Sequence, residues 1–240
     1  MGEGKGNSYK MKSRIWIGVL LLLLSCGWGR KEPSLQIIRE VNKNDKVFLS
    51  TWEYCYLPPG GRKEKVLGVI DLKVEKDKFR IHAQWRKGAL REGEEEWIYD
   101  GKILYKMDRR DKLLYWRSIK RWRTLLFWKI PPRLSPFGIP KKEGESIWQG
   151  REVWILKIEG EYEMAPVRLT YWVDREKKIL VKKEHIIGPF KEPLWKETYR
   201  IKTLKFPSTL PPETFQVTLP IGYVKIKKLL LDSPLVDAKF

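Results

Sequence analysis

The sequence predicts a mainly β protein, a single curved antiparallel sheet of about ten to twelve strands, and three observations carry that prediction. Tryptophan (12) and tyrosine (10) are abundant, isoleucine and valine are frequent and alanine is scarce, a bias that suits pleated, half-buried segments. Strand-like runs recur about every 8 to 15 residues, separated by Gly, Pro or charged turns. Many of these runs are apolar on both faces: Trp154, Leu156 and Ile158 oppose Val153 and Ile155, and Leu169, Tyr171 and Val173 oppose Trp172. One face must then pack against something other than water, through helices plugging the concave side, a ligand cavity, or both. No internal repeat or low-complexity linker is evident.

The elements follow in order. Over Pro33 to Asp45 the apolar residues Leu35, Ile38 and Val41 are spaced by three, and Ser34 can cap the start of a short amphipathic helix. From Lys46 to Tyr56 the period becomes two, with Val47, Leu49 and Thr51 opposing Phe48, Trp52, Tyr54 and Tyr56, until Pro58 to Gly61 break it. Residues 64–75 and 78–86 form a hairpin about Lys76-Asp77, with Val66, Gly68, Ile70, Leu72 and Val74, then Phe79, Ile81, Ala83 and Trp85, pointing inward. Asp100-Gly101 turns Glu95–Tyr99 into Lys102–Met107, and Leu113–Trp116 follows. Between Ser118 and Ile130 the residues Ile119, Trp122, Leu125, Leu126 and Trp128 fit one broad helical face that Pro131-Pro132 terminates. Strands return at about 145–149, 152–159, 166–173, 179–187, 194–204, 215–219 and 223–231.

The first 26 residues carry a different message. Lys10, Lys12 and Arg14 precede an apolar run from Ile15 to Ser25, about 11 residues long against the roughly 20 that a spanning helix needs. Leu23-Leu24-Ser25-Cys26-Gly27 has the form of a lipobox, in which Cys26 is lipid-modified and begins the mature chain. An ordinary cleaved signal with a chance cysteine and an uncleaved short anchor are the alternatives, and each takes the chain out of the cytoplasm. The expected organisation is a lipoprotein signal peptide over 1–25, a lipidated tether over 26–33 and a single domain over 34–240. Gly27 is not the aspartate that retains many lipoproteins in the inner membrane, which favours the outer membrane.

The chain carries +19; four basic residues and one acidic residue lie in 1–25, so the rest carries +16. Such a charge calls for a polyanionic neighbour, and an anionic lipid surface supplies one at about 1 kcal/mol per basic residue. Nucleic acid is not expected, because the basic residues are interspersed with acids and form no stripe. Richness in Lys, Glu and Ile with few Asn and Gln is a bias of heat-adapted proteins. With Cys26 lipidated, Cys55 has no intramolecular partner and reads as a buried small hydrophobe.

Catalysis finds little support. His82 and His185 are the only histidines and both sit in strand patterns; H-E-x-x-H, G-x-S-x-G and C-x-x-C are all absent from the sequence. Gly2, Gly4 and Gly6 follow no strand and form no phosphate loop. The acidic run Glu92, Glu94, Glu95, Glu96 reads as a solvated face instead of a metal site. No catalytic residue, metal or cofactor is expected.

Three stretches, GVIDLKVEKDKFR from Gly68, WIYDGKILYKMD from Trp97 and YWVDREKKILVKKE from Tyr171, together with the closing FPSTLPPETFQVTLPIGY from Phe206, resemble the outer-membrane lipoprotein-sorting superfamily of LolA, LolB and the sensor domain of RseB. The resemblance covers roughly residues 46 to 223. It implies a strongly curved, unclosed antiparallel β-barrel whose concave face is plugged or lidded by short helices and accepts acyl chains. On that basis the lipid-binding candidates, in cavity or lid, are Ile119, Trp122, Leu125, Leu126, Trp128, Phe79, Ile81, Trp97 and Tyr105. In the carrier a basic residue of an early strand bonds the lid; Lys46–Tyr56 has no arginine, so that latch has no counterpart there. A lipobox of its own makes this chain an anchored member. Burying methylenes at about 0.8 kcal/mol each makes a 16-carbon chain worth on the order of 10 kcal/mol before ordering costs. The expected function is binding acyl chains of lipids or lipoproteins for carriage or membrane insertion, without catalysis. The alternative is a sensory or structural module of the same fold that binds another envelope protein and transfers no lipid.

Overall fold

Period-two alternation of buried and exposed side chains runs through most of the chain and produces one sheet. The computed structural model describes residues 33–43, 45–89, 92–119, 126–131, 137–227 and 235. Helix α1 (Pro33–Asn42) precedes β1 (Val47–Leu57), β2 (Lys65–Glu75), β3 (Lys78–Trp85), β4 (Gly93–Tyr99), β5 (Ile103–Asp108) and β6 (Leu113–Ser118). After a non-sheet stretch come β7 (Lys141–Trp148), β8 (Arg151–Tyr162), β9 (Ala165–Asp174), β10 (Leu180–Ile187) and β11 (Trp195–Lys205), then a 3-10 turn at Pro212–Phe215 and β12 (Val224–Ile226).

The strand order is β12-β6-β5-β4-β3-β2-β1-β11-β10-β9-β8-β7. Every pairing is antiparallel except the parallel contact of β12 with β6. Two meanders, β1 to β6 and β7 to β11, therefore join at β1–β11, where Tyr54 faces Tyr199. The fold class is as the sequence predicts: mainly β, antiparallel and unclosed. The sheet is, however, less tightly curled than a strongly curved half-barrel. Its inward face is filled by large side chains, Trp52, Trp97, Tyr171 and Phe127, each nearly fully buried, and rings of this size hold the two halves apart.

Four local expectations change. The inward face of α1 is Ser34, Ile37, Ile38 and Val41, and the Ser34 hydroxyl accepts the Lys142 N–H of β7 (2.8 Å) instead of capping the helix. Residues 126–130 are not helical: Leu126 forms an isolated bridge, Lys129 N–H closes a short turn on the Leu126 carbonyl, and the following Pro131 disfavours helical geometry at Ile130. Phe215 to Leu219 form no strand, because Phe215 ends the 3-10 turn and packs with Leu210 against Ile98 on the outer face of the sheet. Glu95 and Glu96 are buried, one on each face of β4, instead of belonging to a solvated acidic run. Among the described residues no helix is long and apolar enough to cross a membrane.

Candidate functional site

The inward face of the sheet is the candidate site, and the alternation of each strand decides what lines it. Trp52 and Tyr54 of β1, Ile70 and Leu72 of β2, Phe79 and Ile81 of β3, Trp97 and Tyr99 of β4, and Tyr199 and Ile201 of β11 share one buried core with Leu156 and Tyr171 from the far half. Over this face sits a plug formed by Leu126–Ile130. The Phe127 ring stacks on Tyr199 (5.3 Å between centroids) and meets Trp52 edge-on at 5.3 Å; Trp128 meets Phe79 edge-on at 5.3 Å.

Apart from the single bridge at Leu126, hydrogen bonds and not strand pairing hold the plug. The Asn42 side chain at the end of α1 donates to the Ile130 carbonyl (2.6 Å) and accepts the Ile130 N–H (3.1 Å). Lys129 Nζ donates to the Asn42 carbonyl (3.2 Å) and reaches that of Val41 (3.5 Å), and Phe127 N–H donates to the Leu235 carbonyl (3.0 Å). Burial pushes the Lys129 ammonium down to about 8. The space beside the plug, lined by Val41, Phe48, Trp52, Val74, Trp128 and Leu180, has a volume of about 10 Å³, room for one water and not for an acyl chain.

Toward the other end of the same face lies a buried polar belt with members on six strands. Lys106 of β5 lies 3.6 Å from Glu95 of β4 and over the Trp97 ring. Glu95 accepts the indole N–H groups of Trp85 (2.8 Å) and Trp97 (3.1 Å). Trp85 of β3 meets Tyr54 of β1 edge-on at 5.6 Å, and the Tyr54 hydroxyl donates to Glu197 of β11 (2.5 Å). His185 Nδ1 of β10 lies 3.9 Å from Glu197, and burial with Lys183 nearby pushes this imidazole down to about 3, so it is neutral. Burial and the Glu197 carboxylate raise the Tyr54 phenol, which keeps its proton as the donor.

Of the residues singled out from sequence, Phe79, Ile81 and Trp97 point inward and are buried, Leu126 and Trp128 belong to the plug, and Ile119 packs against the core just beyond β6. Tyr105 lies on the opposite face, against Ile98 and Phe215. In β5 it is Leu104 and Lys106 that point inward, which corrects the placement of Tyr105 in the cavity. Cys26, Trp122 and Leu125 lie outside the described residues. Cys55 is fully buried without a disulfide, and desolvation pushes its thiol up to about 11. Sequence reasoning missed the belt, although parity carried it: Glu95 has the phase of Trp97 and Tyr99, and Lys106 that of Leu104.

No protein-family model matches the sequence, and a search of curated proteins returns no relative. Solved structures do have a similar chain trace. An uncharacterized conserved protein from Thermus thermophilus is 13% identical over 80% of this chain and 98% of its own, with a TM-score of 0.49. The MucA/MucB complex of Pseudomonas aeruginosa gives 19% identity over 78% of this chain and 60% of the matched chain, with a TM-score of 0.47. This chain thus matches about 60% of that protein's length. The LolA superfamily protein NE2245 from Nitrosomonas europaea gives 10% identity over 77% and 97%, with a TM-score of 0.35. At these identities and TM-scores the three likenesses assign neither a family nor a role to this chain.

Proposed function

We propose that this protein is a lipid-anchored component of a bacterial envelope that takes up an acyl chain on the inward face of its sheet when the Leu126–Ile130 plug moves aside. In this reading residues 1–25 are a signal peptide, Cys26 carries the anchor and 26–33 tether the domain. The observation that carries it is the nature of the plug. Phe127 and Trp128 fill the centre of the core from an irregular segment tied by a handful of hydrogen bonds, most of them to the end of α1. Vacating them uncovers a wall of Trp52, Ile70, Leu72, Phe79, Tyr199 and Ile201, and a bound acyl chain would replace one apolar contact set with another.

The test is uptake of a fluorescent fatty acid by the full chain, with native mass spectrometry for co-purifying lipid. Saturable uptake is expected. An Asn42→Cys/Ile130→Cys pair that locks the plug on oxidation should abolish it and restore it on reduction. A second reading is favoured by the filled space beside the plug: with about 10 Å³ free there, the same fold can serve as a partner-binding module that carries no lipid. A lipid-free protein that ignores the probe with the plug unlocked would establish that alternative over the first.

A further inference from the structure

On the outward face of the sheet, away from the plug, a groove of about 500 Å³ runs across β11, β1, β2 and β3, lined by Thr51, Lys73, Arg80, Thr203 and Lys205 among others. Strand register sets its charge. Lys205 of β11 pairs with Leu49 of β1, Leu49 pairs with Lys73 of β2, and Lys73 pairs with Arg80 of β3. Three cations thus share one row across four strands. Lys73 and Arg80 are directly opposed, an arrangement that destabilises a sheet unless an anion neutralises it.

The rest of this face is built differently. Arg200 sits against Glu53, Lys196 against Glu64 and Glu184, and Arg168 against Glu159. In the groove the carboxylates are already engaged: Glu96 takes Arg80 (2.6 Å) and Arg109, and Asp71 accepts the Thr51 hydroxyl (2.8 Å). Among the described residues the Lys73 and Lys205 side chains hold neither an ion pair nor a hydrogen bond. Their strands flank β1, so the two backbones lie about 10 Å apart and both ammonium groups can reach a single group seated over Leu49.

We propose that this groove binds a phosphate group, with Lys73 and Lys205 closing on it from the two sides of Leu49 and the Thr203 hydroxyl beside it, while Arg80, held by Glu96 and the Thr214 carbonyl, and Thr51, which donates to Asp71, keep their own partners. A planar carboxylate is matched best by the fork of an arginine, whereas a tetrahedral anion accepts donors from several directions and suits point-charge lysines. The site lies on the face opposite the acyl wall and does not depend on the acyl-binding reading. A soluble phosphomonoester and a phospholipid headgroup both present this chemistry.

The test is titration calorimetry of the full chain in an uncharged detergent with inorganic phosphate, glycerol 3-phosphate and dihexanoyl phosphatidylglycerol. Saturable binding should weaken about tenfold or more in Lys73→Gln/Lys205→Gln and stay unchanged in the charge-matched Lys63→Gln/Lys225→Gln. It should also persist with the plug locked. Binding of phosphate and glycerol 3-phosphate identifies a soluble ligand; binding of the short-chain lipid alone, lost in the groove variant, identifies a headgroup. Absence of binding by all three probes, or equal loss in both double variants, overturns the proposal.

Discussion

Gly68 is where the polar belt crosses β2, and its missing side chain is the reason the crossing exists. A Cβ there would lie 2.4 Å from two ring carbons of Trp85, so only glycine lets the indole lie over β2, donate to Glu95 and touch Tyr54. Gly68→Ala is expected to destabilise the fold by about 1–3 kcal/mol, read as a lower urea midpoint. A wild-type midpoint would mean the indole shifts aside without cost. His185 gives the belt a pH dependence. Its pKa drops from 6.5 in the unfolded chain to about 3 in the fold, so between those values the unfolded state binds a proton that the native state does not. Stability should therefore fall as pH is lowered from about 6.5 toward 3, and His185→Gln should remove that part of the acid loss. Parallel acid-denaturation curves for both proteins would show that the imidazole is not the group responsible. The inward alternation of Gly68 with Ile70, and of Phe79 with Ile81, was legible in the sequence. What periodicity cannot say is that a charge in an inward phase will be kept there, because most of the partners that satisfy Glu95 or Glu197 come from other strands.

At the scale of elements, hairpins were easy to read and the plug was not. The arms about Lys76-Asp77 and Asp100-Gly101 announce themselves by local turn chemistry. Residues 126–130, in contrast, take their form from α1, some 90 residues upstream, and from the prolines that follow. Apolar spacing that suits one helical face also suits an irregular segment pressing its rings into a core. The basic residue that ties the plug, Lys129, lies on the plug itself, and its acceptors are the last carbonyls of α1. The sign of its effect follows from linkage. Burial lowers Lys129 from 10.5 to about 8, so the structure holds this proton less tightly than a hydrated lysine would, and the proposed opening would be coupled to proton uptake. Acyl-probe uptake should therefore decline as pH rises from about 8 to 10.5, and Lys129→Met should flatten the decline. An unchanged decline in that variant would remove Lys129 as its origin. Asn42→Ala, which deletes two hydrogen bonds to Ile130, should raise amide exchange at Phe127 and Ile130 while leaving that of β2 and β3 unaffected.

At the scale of the molecule, an open sheet of twelve strands has two edges to protect, and it protects them differently. The β6 edge is covered by the three-residue β12, which runs parallel to it. The β7 edge is long, and three devices guard it: the Ser34 hydroxyl of α1 occupies the Lys142 N–H, an irregularity between Lys142 and Gly144 breaks the register, and Lys141, Lys142, Glu143 and Glu145 line the strand with charge. These charges are also what made β7 hard to read: the sequence suggests a strand only from about Glu145, because its first half has no apolar face to set a period. Glu143 and Glu145 are the acids that interrupt this edge beside the exposed Ile147. Replacing both with valine would leave an extended, uncharged β-branched run with free ladder groups, the composition that invites a second copy to pair. Glu143→Val/Glu145→Val is therefore expected to add a faster-sedimenting species that grows with concentration, relative to the parent chain, while each molecule retains its far-ultraviolet β signature. If the double variant sediments like the parent at every concentration, the break in register and the α1 cover are sufficient by themselves, and the charge on β7 answers to something other than the protection of its edge.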